Sequence, residues 1–453
     1  GNTTSRGGYL HYRFTKASSF GTADAPLELG DNGGFAVRDN WTNWTNPVII
    51  SGSNAFIVSE YNNTLASNGA WSGDGDVELR NLALTLAAPL DEFSGTIKFS
   101  AAAANSDSKQ TRATSPIVSG SALTTGSAAT YALWRAADGG NEESTLNVTL
   151  QFKGTGAAYD VHIGDLVSFS QLTGSAAMKS GDAENSRGLV ANNTANSTAN
   201  LIVGSANHAY SEFAERIADS GILDNTGAIT SVQSGAKVAV TKVGTGTWAL
   251  TGSNSYSGST TVSGGVLLID GAGSINSSSR IAVSGGELAV NSSVVLTPMV
   301  TVGTGGALTG SGTLGGAVEF DDATGTVSGG GLGTVGTLTF TDAQYWDDFT
   351  YIWDILDPST YDKLSFTNSA GLDLVGENYT LTVNNPNAVT FENLAIISGL
   401  IKDFDESKWQ LGEGFSLSYD NQALFLSYSI PEPSTWLLLG AGATLLVFLR
   451  RRR

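Results

Sequence analysis

The chain has 453 residues, 56 of them glycine, no cysteine, and a formal charge of −19. Residues 1–430 alone carry 41 acidic against 19 basic side chains, a net −22. That balance argues against nucleic-acid binding, which needs a basic surface, and the missing thiols exclude disulfides, cysteine nucleophiles and cysteine zinc sites. Only 14% of residues are charged, and the wealth of Gly, Ser, Thr and Asn favours strands and turns over helices. The length allows two to four domains. The chain starts at Gly1 with no initiator Met and no apolar leader, so an export signal is expected to have been removed or to lie outside this sequence.

Residues 1–172 alternate short apolar stretches with polar turns. In the run from Leu146, the side chains of Leu146, Val148, Leu150 and Phe152 share one face, the pattern of a half-buried strand. Such strands, without long helical patterns between them, predict a β-rich domain. A jelly-roll sandwich is the first expectation, and an irregular start to the solenoid of residues 236–341 is the second. Residues 173–206 are poor in apolar side chains and read as a long loop. A helix is predicted over His208–Ser220, with Asn207 as N-cap, Tyr210, Phe213, Ala214 and Ile217 on one face, and Gly221 as stop. It would close the open end of the next region or pack on the N-terminal domain. Residues 173–235 are thus a linker with a capping helix.

Residues 236–341 carry the clearest internal repeat. Glycine groups follow Val243, Val262, Val283, Val302 and Val327, spaced 19, 21, 19 and 25 residues apart. After each comes a short apolar segment: Trp248–Leu250, Val266–Ile269, Leu288–Val290, Ala307–Leu308, then Leu332. Each unit reads as one coil of a β-helix, with glycine at a corner and alternate residues stacking inward about 4.8 Å apart. A meander of β-hairpins is the other reading of this period.

The segment Val240–Asp270 resembles the autotransporter-associated β-strand repeat, also called the passenger-associated transport repeat. The resemblance rests on the Lys242-Val-Gly-x-Gly-Thr opening, Leu250-Thr-Gly252, Asn254-x-Tyr256-x-Gly258, and the closing Gly264-Gly265-x-Leu-Leu. It implies a right-handed parallel β-helix of the kind found in secreted passenger domains and adhesins, without catalytic residues. The chain ends in a short apolar run rather than a membrane β-barrel, so self-translocation is not implied.

Residues 342–430 continue in β pattern, as last coils of the solenoid or as a small closing sheet. Phe349, Tyr351 and Trp353 alternate along one face, as do Tyr379, Leu381 and Val383. The densest acidic cluster lies here: Asp347, Asp348, Asp354, Asp357 and Asp362, mixed with Tyr345, Trp346 and Trp353. Rings beside carboxylates suit a sugar, so Trp346, Asp347, Asp348, Trp353 and Asp354 are the candidate carbohydrate contact. The bland alternative is a strand with an aromatic core side and a solvated acidic side. Asp74, Asp76 and Glu78 alternate as hard oxygen ligands for Ca²⁺ would, but the rest of a Ca²⁺ loop is missing, and a polar strand edge is preferred. His11, His162 and His208 are far apart, and no nucleophile elbow, phosphate loop or dinucleotide fingerprint is present. No metal, cofactor or catalytic residue is expected.

The last residues read in a fixed order: Pro431-Glu432-Pro433, an apolar run from Thr435 through Trp436 to Leu449, then Arg450, Arg451, Arg452 and Arg453. Fifteen residues give about 22 Å of helix, short of a roughly 30 Å hydrocarbon core, but arginines snorkel and a bilayer thins. A membrane helix is therefore predicted, with the arginines as cytoplasmic stop and residues 1–430 outside. Triplet, helix and arginines together resemble the PEP-CTERM sorting signal of Gram-negative bacteria. The resemblance implies that Pro431, Glu432 and Pro433 are read by exosortase, a membrane processing enzyme, that inner-membrane anchoring is transient, and that the body goes to the cell surface or extracellular matrix. The expectation for the whole chain is an all-β, exported, non-enzymatic, adhesin-like surface protein. A polysaccharide-binding or polysaccharide-degrading protein acting on exopolysaccharide is the alternative.

Overall fold

The computed structural model describes residues 3–5, 8–10, 22, 24–37, 40–59, 64–80, 83–101, 112–135, 146–168, 187–224, 228–321, 324–385 and 389–429. They fall into two compact units, Gly1–Leu308 with Gly312–Val318, and Thr309–Ser311 with Glu319–Arg453.

In the first unit, strands pair in parallel with the strand one coil away, three sheets at a time. One sheet runs Thr3–Ser5, Leu27–Leu29, Val48–Ile50, Trp71–Gly73, Glu92–Phe93. A second runs from Gly8–Leu10 through Gly33–Val37, Ala55–Ser59, Asp76–Arg80, Thr96–Ala101 and Thr130–Arg135 to Asp165–Ser168. A third runs from Trp41–Trp44 to Arg216–Ala218. This is a parallel β-helix from its first described strands, which corrects the jelly-roll expectation: a sandwich pairs its strands antiparallel, and these do not. Leu146–Lys153 differs from the half-buried strand expected. Val148, Leu150 and Phe152 are buried, yet Thr149 and Gln151 on the other side are buried too.

The coils are not uniform. Where a strand of the first sheet would stand, a helical turn, Ala122–Thr125, runs into the 3-10 turn Gly126–Ala128. It keeps the stacking bonds: Thr125 Oγ1 accepts from the Leu90 N–H at 2.7 Å, and the Gly126 carbonyl accepts from Gly164 N–H at 3.1 Å. Beyond it a parallel sheet runs Ala158–Ile163, Thr198–Val203, Lys237–Lys242, Thr260–Val262, Ile281–Val283, Val300–Val302. Beside it Tyr210–Phe213, Thr247–Leu250, Val266–Ile269 and Glu287–Val290 pair likewise. The meander reading is thereby set aside.

Inward positions form columns: Val161, Leu201, Val240, Thr260, Ile281, Val300, and beside it Phe213, Leu250, Ile269, Val290, all fully buried. Between sheets the chain turns at Gly244, Gly265, Gly285 and Gly305, each with positive φ, where a Cβ would be strained. The fifth glycine group departs from the pattern. Gly330–Gly331 pairs antiparallel with Thr334–Val335, and Leu332 is exposed at the tip instead of starting a coil strand.

Two further expectations are corrected. Residues 187–206 are not loop, because Arg187–Asn192 and Thr198–Val203 are ladder strands, while 169–186 lie outside the described residues. His208–Ser220 is not a helix: it holds the strands Tyr210–Phe213 and Arg216–Ala218. Burial there alternates, with Ser211 and Phe213 inside and Tyr210 exposed, so the apolar spacing served a period of two. Asn207, expected as N-cap, is a left-handed turn residue whose Oδ1 accepts from Thr245 N–H at 2.9 Å. Ile222–Leu223 then pairs antiparallel with Ile229–Thr230, and Leu223 and Ile229 pack on Leu189, Ala191 and Ala218.

The second unit repeats the architecture with three coils: Thr337–Phe340, Gln344–Trp346 and Phe349–Asp357, then Lys363–Phe366, Leu372–Leu374 and Tyr379–Asn384, then Phe391–Ser398, Ile401–Lys402 and Trp409–Gln410. Its interior is aromatic. Phe349, Tyr379 and Trp409 stand in register with their rings tilted, centroids 5.4 Å and 5.3 Å apart. An antiparallel hairpin, Phe415–Tyr419 with Ala423–Tyr428, then joins Phe391–Ser398. The region therefore holds coils of its own and a closing sheet.

Candidate functional site

The acidic aromatic cluster sits in the second unit and divides by depth. Trp346 and Trp353 have no exposed surface. Trp346 is ringed by Phe320, Phe340, Phe349 and Phe366, all with centroids within 5.4 Å. Trp353 packs on Tyr361 and Phe391 and donates its indole N–H to the Asp362 carbonyl at 2.8 Å. No sugar can stack on either ring. This corrects the carbohydrate contact drawn through them: alternation puts both on the core side of their strands.

Asp354 and Asp362 are also interior. They hold the Gly330–Val335 hairpin on the coil beneath it. Asp354 Oδ2 accepts from Gly333 N–H at 3.0 Å, and its Oδ1 accepts from Asn384 Nδ2 at 2.6 Å. Asp362 accepts from Gly336 N–H, the Ser328 hydroxyl and Asp354 N–H, at 2.9, 2.9 and 3.1 Å. Burial outweighs these donors and pushes the Asp362 carboxyl up to about 7. Asp347 and Asp357 are at the surface and Asp348 is half-buried. Asp348 Oδ1 accepts from the Glu377 and Asn378 N–H groups, and these bonds hold its carboxyl below the usual range against the opposing effect of desolvation. Tyr345 alone of the cluster's rings is open, at 57% exposure, with Asp373 in register beside it and Lys402 beyond.

Of the alternating carboxylates of the first unit, Asp74 is exposed, and Asp76 and Glu78 have partners. Asp76 Oδ2 meets Lys98 Nζ at 3.1 Å, and Glu78 meets Arg80 Nη2 at 2.6 Å and the Ser100 hydroxyl at 2.7 Å. Among the described residues no three His, Asp or Glu side chains gather as metal ligands would. His11 lies outside the described residues, and His162 faces outward from Ala158–Ile163.

One polar set was not legible in the sequence. Buried Asp165 accepts from the Ser211 hydroxyl at 2.7 Å and pairs with His208 Nδ1 at 2.9 Å. Next to it Lys242 occupies an inward position at 1% exposure, its ammonium donating to the Val243 and Gly264 carbonyls at 2.6 and 3.3 Å. Burial lowers the Lys242 pKa, and the Asp165 charge partly restores it. Asp165 and His208 are 43 residues apart, so no local motif announces them. Only the coil length would.

The repeat's other marked residues also serve structure. Asn254 joins three coils: its Oδ1 accepts from Ile217 N–H at 2.9 Å, while its Nδ2 donates to the Gly252 and Ser274 carbonyls. Buried Tyr256 bonds Thr260 Oγ1 at 2.7 Å, which in turn meets Ser278 Oγ at 2.9 Å.

Residues 240–269 match the passenger-associated-transport-repeat family. Residues 429–453 match the PEP-CTERM protein-sorting motif, which implies export and handling by exosortase. No curated protein matches the chain. Pro431, Glu432, Pro433, Trp436, Leu449 and Arg450–Arg453 lie outside the described residues, and among the described ones no helix is long and apolar enough to cross a membrane.

Proposed function

We propose that the protein is a non-enzymatic surface or matrix component: a β-helix that serves as spacer or adhesive stalk, delivered on a transient membrane tail. The observation that carries this reading is the use of the repeat's own residues. Lys242 and Asn254 join coils, Tyr256 is buried on Thr260, and both tryptophans of the acidic aromatic cluster, with Asp354 and Asp362, are turned into the core. Exosortase is the processing partner in this reading, with Pro431, Glu432 and Pro433 as its signal and the inner membrane as the temporary anchor. Mass spectrometry of the mature C-terminus, in cells with and without exosortase, tests it. Loss of the residues after the triplet is expected only with the enzyme present, and an intact tail in both would overturn it.

A second reading, exopolysaccharide binding, is favoured by the open ring of the acidic aromatic cluster, Tyr345, flanked by Asp347 and by Asp373. Glycan-array binding that Tyr345→Ala abolishes would favour it over a purely structural role.

A further inference from the structure

The sorting motif and the fold meet at one strand. Ala423–Tyr428 is paired on both sides, with Phe391–Ser398 and with Phe415–Tyr419. Its last residue, Tyr428, stands opposite Phe391 and Phe415 at once, with ring centroids 6.0 Å and 4.5 Å away. Pairing continues one residue further, where Ser429 N–H donates to the Gly414 carbonyl at 3.1 Å. Only Ile430 separates Ser429 from Pro431. A fully extended chain advances at most about 3.6 Å per residue, so Pro431 begins within about 7 Å of the last paired residue.

Enzymes that act on a peptide bond commonly take the substrate as an extended strand, pairing with its main chain over several residues. Upstream of Pro431 those residues are Ser427–Ser429, whose backbone groups the closing sheet already uses. One set of main-chain donors cannot serve both partners.

We propose that the closing hairpin gates removal of the tail: the enzyme engages the triplet only after the end of Ala423–Tyr428 peels away from its two neighbours. The clamp of Phe391 and Phe415 around Tyr428 then sets the rate of tail loss. Peeling is local, since Leu424 and Leu426 stay anchored in the core. The covalent step is the enzyme's own: one amide bond breaks, its acyl carbon passes in the end to water or an amine acceptor, whose proton goes to the nitrogen of the tail, and the tail leaves as an amine. The inference rests on the reading of Pro431, Glu432 and Pro433 as the processing signal.

Pulse-chase of the full chain in exosortase-containing cells tests it, with tail loss read by mass spectrometry. Six Gly/Ser residues inserted between Ser429 and Ile430 leave every paired residue in place, and tail loss is expected to accelerate about tenfold. Tyr428→Ala is expected to accelerate it about three- to tenfold, the factor matching loss of aromatic pair contacts. In the inserted background Tyr428→Ala should add nothing. An insertion variant processed at or below the wild-type rate overturns the gate. Glu432→Ala separates the two ideas: continued processing of that variant refutes the signal reading, while the insertion result still decides the gate.

Discussion

Lys242 and Val262 stand in register on neighbouring strands, both facing inward, in a column otherwise filled by Ile163, Val203, Val283 and Val302. A lysine belongs there only because the corner supplies carbonyls for its ammonium. Lys242→Met keeps the stem and loses those bonds, so it is expected to cost about 1–3 kcal/mol. Lys242→Ala also opens a cavity and is expected to cost about 2–5 kcal/mol. Denaturant unfolding of the purified protein orders the two, and equal losses would mean that the stem contributes nothing.

Asp362 makes the second unit sensitive to pH. Its folded carboxyl titrates near 7 and an unfolded one near 4. Between those values the folded state holds the extra proton, so stability falls as pH rises. From pH 5 to 8 the loss is expected to be about 2–3 kcal/mol. Thermal melts across that range should show a falling midpoint, and Asp362→Asn should remove most of the slope. A slope unchanged in the variant would assign it to other carboxylates.

The Trp346 indole N–H is buried without a hydrogen-bond partner. Trp346→Phe removes that orphaned donor while keeping a ring, and is expected to cost no more than about 1–2 kcal/mol. Trp346→Ala empties the centre of the aromatic core, at about 3–5 kcal/mol. Calorimetry measures both.

Two left-handed glycines separate strain from crowding. A Cβ on Gly271 meets nothing within 4 Å, whereas on Gly265 it collides with the Gly246 carbonyl of the previous coil. Gly271→Ala is expected to cost about 1 kcal/mol, and Gly265→Ala at least twice that. Unfolding midpoints that fail to separate the pair would show that coil spacing yields to the extra methyl.

Much of the architecture was legible because a parallel β-helix writes itself as a period. The valine and glycine groups located four coils, and the strands following Val243, Val262, Val283 and Val302 are where the spacing put them. In residues 1–172 corner glycines such as Gly52, Gly75 and Gly95 do stack coil on coil, but without the repeated valine–glycine group, so these coils, with inserts such as Ala122–Ala128, looked like a sandwich. The spurious helix at His208–Ser220 arose because Tyr210, Phe213 and Ile217 fit a 3.6 period by chance, while a turn at Ala214–Glu215 resets the strand phase. For the acidic aromatic cluster, sequence showed which residues lie together but not that Asp354 and Asp362 turn inward. That depended on the Gly330–Val335 hairpin, which covers them and which the fifth glycine group disguised as another coil.

The closing hairpin also bears on self-association. A stack of parallel rungs invites a stranger's chain to lie along its final rung, as fibres grow. Here Ala423–Tyr428 already occupies that row on Phe391–Ser398, and the Glu406 carboxylate sits on the Leu417 N–H of the outermost strand. On this sheet, an incoming copy would meet an antiparallel hairpin and a carboxylate instead of the bare row of Phe391–Ser398.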